Sequence, residues 1–474
     1  MAGLKRYQRY AEELTALIRS GELPPGARLP SVREASRARR ISPATVFEAF
    51  YLLQARGLIE SRPRSGFFVS QAAPAAPVRA TAAVPRGRPV AVSELVFEVL
   101  DATRRPGVAP LGSAFPGAEL FPLRQLARAL STGMRRLEPA RIVEDLPPGN
   151  ERLRKQIALR YALSGTRVAP EEIIITNGAM EALTLSLQAV TKPGDAVAVE
   201  SPGFYAAFQA LERLRLKAVE IPCDPRHGID LAALRGALQR QDVKACWLMP
   251  SFQNPTGASM PEAQRRELLR LLEKHEVPLI EDDVYAELYY GPRPPRPVKA
   301  FDTQGLVMHC GSFSKCLAPG YRVGWVAGGR HAQSILRAKI MTTLSTAVPS
   351  QQALSEYLAH GGYERHLRRL RRLLARQHEI AARIATRHLP AGTRLSSPEG
   401  GYFLWVEFAQ GVDTLRMHHD ALKRGINIAP GQVFSATRAF SNCLRLNFGH
   451  PRDTRFEPAV RAIGELAAAA LRAA

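Results

Sequence analysis

The residue with the most distinctive chemistry is Lys315, in the segment GSFSKCLAPGYRVGW. A lysine amine can form a Schiff base with an aldehyde, and this one lies in a Ser- and Gly-rich loop after an apparent strand. A lysine in a loop is usually only a solvated charge, so its neighbours decide its role. Arg322, in the same segment, has a planar guanidinium that can donate two hydrogen bonds to one phosphate.

Two adjacent acids, Asp282 and Asp283, end an apolar run in LIEDDVYAEL. If the run is a strand, their side chains point to opposite faces. From the residues alone three interpretations stay open: a metal site, a solvated strand end, or a carboxylate that faces a bound ligand.

Two further segments combine small or turn-forming residues with polar groups. In ITNGAMEAL an apparent strand is followed by Gly178, Ala179 and Met180, which open a helix. Small residues there let backbone N–H groups approach an anion at the positive helix end, although a helix that starts at glycine is common. Asn254, in SFQNPTG, would by itself belong to an ordinary turn.

Together these motifs resemble those of the fold-type I aminotransferases, which use pyridoxal 5′-phosphate (PLP). The resemblance covers roughly residues 110–450. It implies that Lys315 binds the cofactor covalently and that Asp282 keeps the ring nitrogen protonated, so that the ring can accept carbanion charge. The cofactor-binding residues that it implies are Lys315, Asp282, Tyr285, Asn254, Gly178, Ala179, Met180, Phe204, Ser312, Ser314 and Arg322.

The resemblance also assigns finer roles. Asp282 is chosen over Asp283 because Tyr285 then follows three residues later, where the family has a phenol bonded to the ring hydroxyl, a role that Asn254 shares. Lys315, Asp282 and Tyr285 are the expected catalytic residues.

The phosphate and the ring face have their own partners in the family. Ser312, three residues before Lys315, and Arg322, seven after it, match its phosphate ligands, which Ser314 assists. Phe204 matches the aromatic that stacks on the ring, with Tyr205 as the alternative.

The resemblance also concerns the substrate and the contact with a partner subunit. Arg445, in CLRLNFG, matches the arginine that holds the substrate's α-carboxylate, although a surface arginine on a strand is the alternative. Many relatives extend a tyrosine to the partner subunit's phosphate, but the corresponding residues here are Val143 and Glu144.

The N-terminal 70 residues have a different pattern. Leu14, Leu17 and Ile18 form one apolar stripe of a helix, Ser31 can cap a second helix, and Ser42-Pro43 can open a third. The segments YAEELTALIRSGELPPGARLPSVREA and ISPATVFEAFYLLQARGLIESRPRSGFFV resemble the winged helix-turn-helix of GntR-type regulators.

This resemblance implies binding to double-stranded DNA. The third helix would turn Val46, Phe50 and Leu53 inward and present Ser42, Ala44, Thr45 and Glu48 near its N-terminus, where base edges are contacted. Many relatives have arginine in place of Pro43, so base contacts would depend on Ser42, Thr45 and the wing near Gly66. Phosphate contacts are expected from Arg33, Arg62 and Arg64. The alternative is a small helical module that dimerises or binds protein.

The order of the two units resembles the MocR-type regulators. We expect a winged helix-turn-helix over 1–70, a Pro/Ala-rich linker over 71–92, and an α/β aminotransferase-like domain over 93–474. In that domain, apolar runs that alternate with helical stretches predict a large lobe with a mostly parallel sheet at about 110–330. A small α+β lobe is expected at about 331–474.

Composition narrows the class of protein. The formal charge of +22 favours polyanionic partners, and residues 1–70 carry 12 Lys/Arg against 6 Asp/Glu. The five cysteines are scattered without a C-x-x-C pair, which argues against disulfides or zinc and favours a reducing cytoplasm. No apolar run reaches ~18 residues, so no membrane span is expected.

Three functions remain open from the sequence. The first is a DNA-binding regulator, expected to be a homodimer, that senses PLP, an amino acid or another amino compound. The second is a working aminotransferase with a DNA-binding appendage. The third is a protein whose second domain only dimerises and whose pocket is vestigial, although the intact set Lys315, Asp282 and Arg445 argues against it. The regulator is preferred because the fused DNA-binding module supplies an output.

Overall fold

The computed structural model describes residues 6–20, 22–24, 26–55, 58–62, 65–70, 76–77, 86–102, 105–140 and 146–473. Its first unit consists of α1 (Arg6–Ser20), α2 (Val32–Arg39), α3 (Pro43–Ala55), β1 (Ile59–Arg62) and β2 (Gly66–Val69). The two strands form an antiparallel hairpin.

Local sequence explains where these helices begin. The Ser31 hydroxyl accepts from the Glu34 N–H, and the Glu34 carboxylate accepts from the Ser31 N–H at 2.8 Å, so α2 starts with a capping box. Ser42 lies one residue before α3 begins at Pro43, and its hydroxyl accepts from the Thr45 N–H at 3.2 Å. Both predicted caps are confirmed. The apolar faces of the helices meet in one core around Leu14, Val46, Phe50 and Leu53.

The second unit alternates strands and helices. Its first part contains β3 (Ala76–Pro77), β4 (Gly87–Pro89), α4 (Ser93–Ala102), β5 (Ala109–Pro110), α5 (Leu123–Arg135) and α6 (Glu151–Leu163). Its central part contains β6 (Ile173–Thr176), α7 (Ala179–Val190), β7 (Ala196–Ser201), α8 (Tyr205–Arg213), β8 (Lys217–Asp224), β9 (Gly228–Ile229), α9 (Leu231–Arg240), β10 (Val243–Leu248), α10 (Glu262–His275), β11 (Leu279–Asp282), β12 (Val307–Ser312) and β13 (Gly324–Ala327).

The chain closes with a smaller sheet and long helices. They are α11 (Ala332–Thr342), α12 (Val348–Ala359), α13 (Gly362–His388), β14 (Arg394–Leu395), β15 (Phe403–Glu407), α14 (Thr414–Lys423), β16 (Ile426–Asn427), β17 (Ala429–Pro430), β18 (Cys443–Asn447) and α15 (Phe456–Ala473). Within the described ranges, no helix combines the length and apolar composition needed to cross a membrane.

The large sheet has the strand order β4-β8-β7-β10-β11-β12-β13-β6. The strands from β8 to β12 in that order pair in parallel, whereas β4, β13 and β6 join by antiparallel pairing. The central strands are apolar and buried because helices cover both faces. The expected α/β class with a mostly parallel sheet is confirmed, and the sheet is mixed at its edges.

This topology brings the predicted motifs to one edge. Parallel strands share the edge at which their carboxyl ends lie, and ligands in open α/β sheets bind there. Asp282 ends β11 and Ser312 ends β12, and these strands are neighbours in register. Asn254 follows β10, Phe204 follows β7, and Gly178 follows β6, which runs in the same direction as β12 because both are antiparallel to β13.

The small sheet has the order β17-β18-β15-β14-β3. Three details differ from the expected domain boundaries. Residues 76–77, within the expected linker, form β3 against β14. Residues 87–89, within the expected linker, form β4 against β8, and Val92 is buried in the core of the large sheet. Helix α11, expected in the small lobe, packs on α7 of the large lobe. Pairing of β4 to the sheet edge needs only backbone groups, so composition does not reveal it.

Candidate functional site

The two adjacent acids occupy different environments. Asp283 forms a hydrogen bond with His309, whose Nε2 lies 3.0 Å from the Asp283 Oδ2. The Asp282 side chain is fully buried on the site edge, and neither of its carboxylate oxygens has a hydrogen-bond partner within the described part of the chain. Burial raises the pKa of Asp282 to about 7, against the lowering effects of the nearby Trp247 indole and Val284 N–H and of the positive charge on Lys315. Asp282 is therefore the acid that remains available to a cationic ligand.

Lys315 lies in the loop after β12. Its Nζ donates to the Ala114 carbonyl at 2.8 Å and lies 3.8 Å from the centre of the Phe115 ring. Burial lowers the pKa of Lys315 to about 7, and the positive charge of Arg445 acts in the same direction. A substantial fraction of the amine is consequently neutral at neutral pH, which is the form that attacks a carbonyl.

A set of donors surrounds the start of α7. The Ser312 hydroxyl lies 2.9 Å from the Ser314 hydroxyl, and Arg322 Nη1 lies 3.4 Å from that same Ser314 oxygen. Arg322 Nη2 donates to the Asn177 carbonyl at 3.1 Å. Two serine hydroxyls, one guanidinium and a helix N-terminus thus converge, which is the donor chemistry that a phosphate needs.

Gly178 makes this cluster possible. Its φ is +86°, in the left-handed region, and an added Cβ would lie 2.4 Å from Arg322 Nη2. Ala179 and Met180 follow as the first residues of α7, and the Ala179 amide lies close to Gly324 of β13. A side chain at position 178 would displace the Arg322 guanidinium, so the backbone there is kept open for close approach.

Arg445, on β18, is fully buried and faces the site edge. It donates to Asn254 Oδ1 at 2.8 Å and to the Gly112 carbonyl at 2.7 Å, while its Nε and the Asn254 Nδ2 have no partner among the described residues. Burial lowers its pKa. The alternative of an exposed strand arginine is excluded. A buried guanidinium whose hydrogen bonds in the described chain all go to neutral oxygens is suited to bind a carboxylate.

The aromatic residues are arranged around the same space. Tyr285 is buried, and its ring centre is 5.9 Å from Lys315 Nζ. Phe204 is half-buried at the start of α8, with its ring centre 5.0 Å from that of Tyr205. Tyr205 is more deeply buried and faces Arg445, whose charge opposes the rise in the Tyr205 pKa that burial causes. Phe204 is therefore more accessible than Tyr205 for stacking on the ring of a bound cofactor.

Sequence reasoning missed one whole segment of the site. The carbonyl oxygens of residues 112–114 accept from Arg445, Lys315 and the Tyr402 hydroxyl, and the Phe115 ring covers the Lys315 amine. Backbone carbonyls act regardless of side-chain type, so no motif indicates them. The paired glycine and serine at 112–113 are the only local signal, and it is weak.

The N-terminal unit carries a second candidate surface. Arg33 is exposed on α2, Ser42 is exposed at the start of α3, and Thr45 is half-buried with its hydroxyl 2.8 Å from that of Ser42. Gly66 opens β2, and Arg28, which sequence reasoning overlooked, lies beside it.

Some predicted positions cannot be placed. Arg62 lies on β1, but its side chain is outside the described structure, as is the whole of Arg64. Val143 and Glu144, where relatives have a tyrosine, also lie outside the described residues.

Sequence comparison agrees with both units. Residues 141–463 match the model of aminotransferase class I and II, and residues 6–69 match that of bacterial regulatory proteins of the gntR family. The chain belongs to the class I and II aminotransferase family, in the MocR-type arrangement with an N-terminal GntR-type winged helix-turn-helix. It is 47% identical over 463 residues to the uncharacterized HTH-type transcriptional regulator YdcR of Escherichia coli (strain K12), covering 98% of this chain and 99% of that protein.

Solved structures support the same fold. The multiple substrate aminotransferase of Thermococcus profundus superposes with a TM-score of 0.75 at 28% identity, covering 81% of this chain and 96% of that one. Kynurenine aminotransferase of Pyrococcus horikoshii, solved in complex with PMP, superposes with a TM-score of 0.73 at 30% identity, covering 79% and 94%. The fold-type I architecture is confirmed.

Proposed function

We propose that this protein is a DNA-binding transcription regulator that holds PLP at Lys315 and responds to an amino acid or another amino compound. The observation that carries the proposal is the fully buried Asp282 carboxylate, both of whose oxygens lack a partner in the described chain. A protonated ring nitrogen would supply the missing partner. The solved relative with bound PMP supports the choice of cofactor.

The side chains around the strand ends fit PLP as a group. Lys315 would bond to its aldehyde, Asp282 would face the ring nitrogen, and Asn254 and Tyr285 would flank the ring hydroxyl. The phosphate would lie among Ser312, Ser314, Arg322 and the N-terminus of α7, formed by Gly178, Ala179 and Met180, and Phe204 would cover the ring. Bound there, PLP supplies an electron sink for carbanion charge.

The chain's own residues would then select the ligand. Arg445 can bind a carboxylate through two hydrogen bonds, with its orientation held by Asn254 and the Gly112 carbonyl. The Ala114 carbonyl holds the Lys315 amine at the same edge of the sheet. These contacts favour an amino compound that carries a carboxylate.

Regulation requires that ligand and DNA binding be coupled. A ligand shifts a conformational equilibrium only by its differential affinity for the two states. The winged helix-turn-helix at 1–70 and the aminotransferase-like domain, which already includes β4 at Gly87–Pro89, would adopt two different relative arrangements, in the cytoplasm and in a homodimer. Exposed apolar side chains on α5 and α11, including Met134 and Met341, support the homodimer.

The test is a loading experiment with a lysine variant. Purified full-length protein is incubated with PLP, reduced with borohydride and digested, and mass spectrometry should find a pyridoxyl group on Lys315. The Lys315→Ala variant should lose the adduct and the visible absorbance, yet retain DNA binding in fluorescence anisotropy. Lys244→Ala, at an exposed lysine, is the matched control. An adduct at another lysine, or none, would refute the proposal.

A working aminotransferase is the second candidate. The set Lys315, Asp282 and Arg445 is complete, and the structural relatives are named as aminotransferases. Incubation with a panel of amino acids and a keto-acid acceptor separates the two functions. Continuous keto-acid production favours the enzyme, whereas a spectral change without turnover favours the sensor.

A further inference from the structure

The outward face of α3 has an unusual composition for a surface that meets DNA. Its solvent-facing residues are Pro43, Ala44, Phe47, Glu48 and Tyr51, with Gln54 in its last turn. Phe47 is 56% exposed and Tyr51 is 69% exposed, although the opposite face of the helix fills the core. Phe47 and Tyr51 are four residues apart and therefore adjacent on one face of the helix, and a contiguous exposed aromatic patch indicates a surface that a partner covers.

The polar residues first expected to contact bases are partly engaged with each other. The Ser42 hydroxyl accepts from the Thr45 N–H, and the two hydroxyls are 2.8 Å apart. Residues 43–51 include no Arg, Lys, Asn or Gln. The part of α3 that would lie deepest in the groove thus has no side chain for the paired hydrogen bonds by which proteins usually identify guanine or adenine.

We infer that Phe47, with Ala44 beside it, selects DNA by packing against the C5-methyl groups of thymine in the major groove. This inference rests on the proposed DNA-binding function. The thymine methyl projects into the major groove, and alanine and phenylalanine are among the side chains that contact it. Ala44 and Phe47 are three residues apart, so they are neighbours on the N-terminal half of the helix, which approaches base edges.

The charges on the segments that precede α3 favour a nucleic acid as the occupant of this face. Arg28, Arg33, Arg37 and Arg40 are exposed on the segments that precede α3. An exposed apolar strip that follows a cation-rich segment is suited to DNA, because phosphate contacts position a protein while base contacts specify the sequence. Sequence preference would then come from the apolar strip and affinity from the arginines.

The experiment begins with the full-length protein and a random-sequence duplex pool. Binding sites are selected, and each enriched thymine is replaced in turn by deoxyuridine, which removes only the methyl group. We expect at least one thymine per half-site whose replacement weakens binding about fourfold, the value of one buried methyl group. In Phe47→Ala the same replacement should have no effect, and the dependence of affinity on salt should be unchanged, since no phosphate contact is lost.

Two further variants make the outcome decisive. Phe97→Ala, at an equally exposed phenylalanine on α4, should keep the thymine preference. Phe47→Arg should shift the selected base from thymine to guanine, and this variant decides the matter if Phe47→Ala binds too weakly to measure. Equal binding of thymine and uracil duplexes by the unmodified protein, or an unchanged preference in both Phe47 variants, overturns the inference alone. Failure to retain any duplex at low salt overturns the proposed function itself.

Discussion

At the scale of single residues, the site depends on groups whose charge is set by their surroundings. The pKa of Lys315 falls to about 7 because burial and the nearby Arg445 disfavour the ammonium form. The pKa of Asp282 rises to about 7 because its carboxylate is buried, and the nearby Trp247 indole and Val284 N–H offset only part of that rise. A base and an acid at one strand edge are thus both brought toward neutral pH.

The first prediction concerns the pH dependence of cofactor loading. Only the neutral amine of Lys315 can attack an aldehyde, and the neutral fraction grows as pH rises through the pKa. The loading rate, followed by stopped-flow absorbance, should rise about tenfold per pH unit below 7 and level off above it.

Asp282→Asn is the matched variant for this measurement. It removes the negative charge that favours the ammonium form of Lys315, so the midpoint of the curve of loading rate against pH should move to lower pH. A midpoint near that of ordinary lysine, about 10.4, would contradict the assignment.

The second prediction concerns Arg445. Arg445→Lys keeps the positive charge but loses the planar pair of donors, so affinity for amino acids should fall about 10- to 100-fold. Titration of the visible spectrum measures the loss. Amines without a carboxylate serve as the internal control, because their affinity should not change. Equal weakening for both ligand types would show that the substitution damaged the site as a whole.

At the scale of secondary structure, a buried chain of hydrogen bonds supports the strand that carries Asp282. Trp325 Nε1 donates to the Tyr161 hydroxyl at 2.9 Å, that hydroxyl is 2.7 Å from His309 Nδ1, and His309 Nε2 is 3.0 Å from Asp283. Because an indole only donates, the Tyr161 oxygen accepts from Trp325, and the same hydroxyl forms a hydrogen bond with His309 Nδ1. The chain connects α6, β13, β12 and the end of β11.

The third prediction follows from this chain. Tyr161→Phe leaves the Trp325 indole and the His309 ring without their shared partner, and should lower the free energy of unfolding by about 1–3 kcal/mol. Urea denaturation measures the change. Tyr51→Phe, at an exposed tyrosine, should alter stability by less than about 0.5 kcal/mol. An equal effect of the two substitutions would contradict the role of the buried chain.

The sequence predicts some of these elements well and others not at all. The apolar runs at β6, β7, β10, β11 and β12 are recognisable because buried parallel strands need continuous hydrophobicity. The caps at Ser31 and Ser42 are recognisable because their hydrogen bonds are local. The pairing of β4 and the carbonyl groups at 112–114 depend on long-range backbone contacts, which leave no trace in side-chain type. Phe47 was missed because an aromatic residue in a helix is normally assigned to the core.

At the scale of the whole molecule, exposed apolar side chains on α11 bear on how the subunits assemble. Ile340 and Met341 are adjacent on α11, and Met341 is 80% exposed. If these side chains form part of a subunit interface, a charge there would be buried without a partner. The proposed homodimer therefore predicts a sensitive position on this helix.

The fourth prediction tests that position. Met341→Lys should convert much of the protein to monomer in sedimentation velocity at micromolar concentration. Leu163→Lys, which places the same charge at a similarly exposed residue at the end of α6, is the control and should leave the sedimentation coefficient unchanged. A monomeric parent protein would refute the homodimer, and unchanged assembly of Met341→Lys would place the interface elsewhere.

The buried guanidinium on β18 has a consequence for how the protein is handled. Whatever small organic acid occupies it will bind the native chain and not the denatured one, and so will raise the melting temperature by an amount that grows with the logarithm of its concentration relative to its dissociation constant. Buffers such as citrate or succinate should therefore give higher apparent thermal stability than chloride at equal ionic strength. A thermal-shift screen of simple organic acids becomes a direct way to find the shape of the natural effector.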